Sequence, residues 1–143
     1  MSMMQWSDVY SVEIQEIDEQ HKCIVAYINE LYDALSKKEN RDLVADVIQK
    51  LLEYTKIHFA VEEALMRIFH YEGYEHHKEI HDNIVQQVLT YQGKFMAGDD
   101  EVGMELLMFL KGWLFEHINE VDKHYVETFH AAGVKKSWLK KFW

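Results

Sequence analysis

At 143 residues, the chain is long enough for one domain with a real core and too short for two comfortable ones. Its balance of 48% hydrophobic and 28% charged residues is globular, and a formal net charge of −10 argues against nucleic acid as the main partner, because phosphate binding needs a basic surface. The one cysteine, Cys23, excludes an internal disulfide framework and fits a reducing compartment.

Proline is absent and glycine occurs only 6 times, so little interrupts long helices. The start, MSMMQWSDVY, carries no basic region followed by an apolar run, and no apolar stretch approaches the roughly 20 residues of a membrane span. Cytoplasmic localisation is therefore expected, and the high charge favours a monomer or loose oligomer.

Residues 1–17 read as an extended arm, with Trp6, Tyr10, Val12, Ile14 and Ile17 available for packing. A first helix is expected from about Asp18, which would cap it, with a stripe of His21, Ile24, Ile28, Leu31 and Leu35. Ser36–Asn40 ends it, and Asn40 caps the second helix, whose stripe is Leu43, Val47, Leu51, Tyr54, His58, Glu62 and Leu65. That helix ends before Gly73. The third spans about Tyr74 to Met96 with His77, His81, Ile84, Val88, Tyr91 and Phe95 on one face, and Gly98 is a left-handed terminator. The fourth carries Leu106, Leu110, Trp113, Leu114, His117 and Val121. Four long helices with short connections predict an all-α, up-down-up-down four-helix bundle over about 18–131. Residues 134–143 are expected to form a short C-terminal helix, and 1–143 to act as one domain.

Histidine and carboxylate are unusual on apolar stripes, because burying them without partners costs several kcal/mol. Residues four apart on a helix share a face, so His58 with Glu62, and His77 with His81, can each reach one centre. For any single pair, a surface histidine beside a surface acid is the commoner arrangement. Four stripes that each deliver a histidine make a shared metal the simpler account. Spacing does not select Asp122: it stands about 140° from His117 on an ideal helix, and Glu120 fits better.

The stretches IDEQHKCI (17–24), HFAVEEALM (58–66), GYEHHKEIH (73–81) and WLFEHINEVDKHY (113–125) resemble the hemerythrin family, in particular its single-domain bacterial members. The resemblance covers most of the chain, and seven ligand positions match without substitution. It implies two non-haem iron ions. His77, His81 and His117 would be terminal ligands of one, His21 and His58 of the other. Glu62, Asp122 and an oxo or hydroxo oxygen would bridge them. Asp122 becomes a ligand on this ground alone.

Two six-coordinate irons offer about 12 positions. Five histidines, two bridging carboxylates and a bridging oxygen leave one open, on the iron with two histidines. An open position is where an external ligand binds. The resemblance places Ile24, Phe59, Trp113 and Leu114 around that side as a dioxygen pocket, although plain core packing accounts for each equally well. Di-iron oxidase bundles use about four glutamates and two histidines; a histidine-rich site favours reversal over further oxidation.

The expected function is reversible dioxygen binding, for transport, storage or supply to oxygen-consuming enzymes, without enzymatic turnover. A di-iron peroxidase or oxidase, and an oxygen-sensing or iron-handling module, are the alternatives. Nitrogen–oxygen sites also accept manganese or zinc. His70, His76, His124 and His130 match no ligand position, and Cys23 reads as a packing residue. Lys135, Lys136, Lys140 and Lys141, interleaved with Trp138, Leu139, Phe142 and Trp143, offer weak contact with an anionic membrane or an acidic protein; aromatic packing over the bundle end is the commoner use.

Overall fold

The computed structural model of the chain describes residues 3–38 and 40–131. Helices α1 (Gln15–Ser36), α2 (Arg41–Ile68), α3 (Tyr74–Met96) and α4 (Val102–Glu116) follow a short 3-10 turn at Asp8–Tyr10. A π-helical turn, His117–Asp122, then leads into α5 (Lys123–Ala131). α1 packs on α2, α2 on α3, α3 on α4, and α4 returns to α1. This closed ring is the expected four-helix bundle, with the fourth helix broken once. No helix among the described residues is long and apolar enough to cross a membrane. The expected C-terminal helix over 134–143 lies outside the described residues.

The helix ends follow local chemistry. Asn40 caps α2 as expected, its side chain accepting from the Asp42 N–H at 2.7 Å. Gly98 ends α3 at φ 109°, and the Asp99 N–H reaches back to the Lys94 carbonyl, the Schellman arrangement. α2 ends the same way around His70, whose φ of 54° is left-handed without a glycine. Gly103 sits where α4 passes close to α1: a Cβ there would lie 2.8 Å from Leu35 Cδ2.

Two expectations need correction. α1 begins at Gln15, not at Asp18, and Asp18 does not cap it. Asp18 instead turns back onto the arm, accepting from the Val12 N–H at 2.8 Å and from the Ser11 hydroxyl. The carboxylate is used to anchor the preceding chain, so the helix gains an extra turn. On α2, Leu43 is exposed and Val44 takes its place in the core, because the stripe turns slowly along so long a helix.

The arm is part of the core. Met4, Val12 and Ile14 are buried. Asn29 holds Met4 through reciprocal bonds, accepting its N–H at 2.8 Å and donating to its carbonyl at 2.9 Å. Tyr10 stacks on Phe115, with ring centroids 4.3 Å apart. At the other end of the bundle, Arg41 donates to Asp100 and to the Phe95 carbonyl while lying over the Phe95 ring. It ties the start of α2 to the α3–α4 turn. Asn40→Ala should lower unfolding free energy by about 1 kcal/mol, read from the urea midpoint, with helical content unchanged.

Candidate metal centre

Each ring member contributes to one buried cluster. α1 supplies His21, α2 His58 and Glu62, α3 His77 and His81, and the π-turn His117 and Asp122. All seven are at most 3% exposed. The structure brings together all seven residues singled out from the sequence.

The π-turn resolves the awkward spacing of Asp122. In a π-helix the backbone bond runs from i to i+5. The extra residue is spread over one wide turn, so position i+5 comes round to the face that i+4 occupies in an α-helix. Asp122 therefore faces the same centre as His117. Helical periodicity could not reveal this, because it assumes an unbroken α-helix.

The histidines fall into two sets. His77, His81 and His117 form a triangle with ring centroids 4.5, 5.0 and 5.2 Å apart. His21 and His58 form the other set, edge to face at 4.6 Å. Both carboxylates face both sets. Asp122 Oδ1 lies 2.9 Å from His117 Nε2 and 3.1 Å from His77 Nε2, while Oδ2 lies 3.2 Å from His21 Nε2. Glu62 Oε1 lies 2.7 Å from His58 Nε2 and 3.7 Å from His81 Nε2.

These atoms are close but poorly satisfied. Both ring nitrogens of His21, the Nε2 atoms of His58 and His77, Glu62 Oε1 and both Asp122 oxygens are buried without a hydrogen-bond partner. Buried polar atoms are normally paired. His81 Nε2 and His117 Nε2 face each other at 3.1 Å. Adjacent ligands of a six-coordinate cation with bonds near 2.1 Å stand about 3 Å apart. Most of the donor contacts have this spacing. Two overlapping groups could each hold a cation: Glu62, His77, His81, His117 and Asp122, and His21, His58, Glu62 and Asp122.

A second layer sets how the ligands point, and sequence reasoning missed it. The His58 Nδ1–H donates to the Gln20 amide oxygen at 2.7 Å, and the His81 Nδ1–H donates to Glu63 Oε2 at 2.9 Å. Carbonyl and carboxylate oxygens only accept, so in each ring Nε2 is left to offer its lone pair inward. The Tyr125 hydroxyl donates to Glu62 Oε2 at 2.6 Å and leaves Oε1 turned to the histidines. Gln20, Glu63 and Tyr125 all lie inside the four matching stretches, but their pairing appears only when the helices meet.

Electrostatics in the metal-free cluster follow the same contacts. Burial and Asp122 push the Glu62 carboxyl up, yet His58 and His81 outweigh them and hold it at about 2. Asp122 is held well below its ordinary value: burial opposes this, and His117, His21 and His77 prevail. Burial lowers His81, which favours its neutral form. For His117, the Asp122 carboxylate overcomes burial and raises it. Burial and the two carboxylates push the Tyr125 phenol far up, so it stays a proton donor.

Ile24, Phe59, Trp113 and Leu114 are all buried. Phe59 stacks flat on His81 at 3.7 Å and lies 5.9 Å from His58, so it touches both sets. Trp113 meets Phe59 edge-on at 5.7 Å and stands 5.8 Å from His117, on the three-histidine side. His70, His76 and His124 are exposed and His130 half-buried; none belongs to either group. Cys23 is half-buried and lies near Tyr54, where α1 meets α2.

Fold and cluster together define a helical-bundle protein with a buried His/Glu/Asp site that fits a metal. The family model for the hemerythrin HHE cation binding domain matches residues 12–129. A bacteriohemerythrin of Pseudomonas aeruginosa is 44% identical over 128 residues, covering 90% of this chain and 82% of that protein. One from Stenotrophomonas maltophilia is 35% identical, with 92% and 84% covered. A crystal structure of wild-type hemerythrin superposes with a TM-score of 0.83 at 32% identity, over 89% of this chain and 98% of that one. The chain belongs to the hemerythrin family.

Two outcomes are expected of this geometry. A divalent cation added to the metal-free protein should raise its melting temperature, by about 4 kcal/mol of stability at 1,000 times the Kd; Asp122→Asn should remove most of that gain in a calorimetric scan. In the metal-free protein, Glu62 and Asp122 ionise more readily folded than unfolded, so their stabilisation is complete above the ordinary carboxylate range and lost as pH falls. Its melting temperature should drop as pH falls from 4.5 towards 2, and this part of the drop should vanish in Glu62→Gln/Asp122→Asn.

Proposed function

We propose that the chain binds dioxygen reversibly at a non-haem di-iron centre, for oxygen transport, storage or supply to oxygen-consuming enzymes. The observation that carries this reading is the pair of ligand groups, one of five residues and one of four, sharing Glu62 and Asp122. The smaller group offers one donor fewer, so an incoming small ligand would be met on the His21–His58 side. Iron is favoured over other divalent metals by membership of the family. When bound, a pair of irons supplies two electrons to dioxygen and takes them back on its release.

The chain's own residues have separable tasks in this reading. The five imidazoles hold position without adding charge, and Glu62 and Asp122 supply the anions that offset two cations. So few anions favour a binding protein over an oxidising enzyme, whose bundles carry about four glutamates. Gln20 and Glu63 keep the Nδ1 protons of His58 and His81 turned outward. Tyr125 keeps Glu62 oriented. Ile24, Phe59, Trp113 and Leu114 form an apolar wall that limits water and proton entry. A cytoplasmic monomer fits the net charge of −10 and the lone Cys23.

The test combines metal analysis with oxygen titration of the anaerobic, reduced protein. About two irons per chain are expected, with a visible absorption band that grows with oxygen and disappears under argon. A band that never forms, or never reverses, sinks the reading. His58→Ala should lose both the band and roughly half the iron.

A further inference from the structure

The two histidine sets differ behind the ligands as well as in number. His81 backs onto a carboxylate, Glu63, at 2.9 Å. His58 backs onto a neutral amide, Gln20, at 2.7 Å. His21 Nδ1 is buried with no hydrogen-bond partner. Negative charge in the outer layer is thus confined, among these contacts, to the three-histidine side. Glu63 is also sheltered: its side chain is 13% exposed, at the edge of a groove shared with Lys56, Asp82 and Gln86. A partly desolvated carboxylate acts on its neighbour more strongly than one in water.

A carboxylate that accepts an imidazole N–H draws that proton towards itself. The opposite ring nitrogen gains electron density and binds a cation more tightly. An amide oxygen does the same much more weakly. Phe59 lies flat on the His81 ring, so the ring cannot tilt away from the line between Glu63 and the cluster.

We propose that Glu63 is a positioning residue that makes the group of Glu62, His77, His81, His117 and Asp122 the tighter of two cation sites, so that this site fills before the one at His21 and His58. The inference rests on the metal-centre reading. It goes beyond that reading by assigning an order of loading and a cause for it.

Cobalt(II) is a suitable probe, because such sites accept several divalent metals and its visible spectrum reports coordination without oxygen chemistry. Calorimetric titration of the metal-free full chain should resolve two steps of unequal affinity. Glu63→Gln keeps an accepting oxygen and removes only the charge. It should weaken the first step about 10- to 100-fold, leave the second step in place, and leave the helical circular dichroism of the metal-free protein unchanged. Gln20→Glu adds the missing charge behind His58 and should strengthen the second step; it remains decisive if Glu63→Gln fails to fold. Equal affinities in the wild-type chain, an unchanged first step in Glu63→Gln, equal weakening of both steps, or an unchanged second step in Gln20→Glu would each overturn the proposal. A wild-type chain that binds no cobalt overturns the metal-centre reading and this inference with it.

Discussion

Five imidazoles and two carboxylates converge in the middle of a bundle core, and the rest of the molecule is arranged around what that costs. Isolating ionised groups from water is penalised by several kcal/mol each unless a partner compensates. Here much of the compensation is missing within the protein. Six buried ring nitrogens and carboxylate oxygens of the cluster face one another at 2.7–3.2 Å without completing a hydrogen bond, and His21 Nδ1 is buried without a partner behind its ring. A cation answers the lone pairs of imidazole and carboxylate together, which no side chain in the core can do. The helices around the cluster act as a frame that holds seven donors in place before any ion arrives.

That frame has to be stiff, and its stiffness is distributed. The long helices carry ordinary apolar stripes on both sides of the cluster, with Ile28, Leu31, Leu106 and Leu110 towards one end and Ile17, Leu65 and Phe129 towards the other. The N-terminal arm closes one side through Met4, Val12 and Ile14. Around the cluster itself, packing gives way to directed bonds: Gln20, Glu63 and Tyr125 each take one polar atom of a ligand. Rotation of any of those three ligands would break a buried hydrogen bond. The outer layer therefore converts a set of loosely aimed side chains into donors of defined direction, and its uneven charge makes the two halves unequal.

Much of this was readable along the chain. Amphipathic stripes marked the four helices, and Asn40 and Gly98 marked ends where the structure has them. His21, His58, Glu62, His77, His81 and His117 stood out because apolar faces rarely carry such groups. Asp122 did not, since a periodicity argument presumes a helix of constant pitch, and resemblance had to supply it. The start of α1 is not legible in the sequence because Asp18 suits both a cap and an anchor for the arm; only the tertiary contact with Ser11 and Val12 decides between them. Glu63 and Gln20 look like ordinary polar residues beside more conspicuous ones. Their pairing joins α2 to α3 and α1 to α2, and no spacing within one helix encodes it.

The π-turn has a consequence for how the chain can change length. Five steps separate His117 from Asp122, and the wide turn is what unites them. Losing one residue between them would leave four steps, which a plain α-helix already brings to one face. Gaining one would leave six, about 240° apart on an α-helix and beyond the i+5 reach of a π-turn. Deletion is thus compatible with the site and insertion is not. Among descendants of this sequence, the segment 118–121 should be free to shorten and barred from lengthening, a one-sided tolerance that ordinary helices and surface loops do not impose.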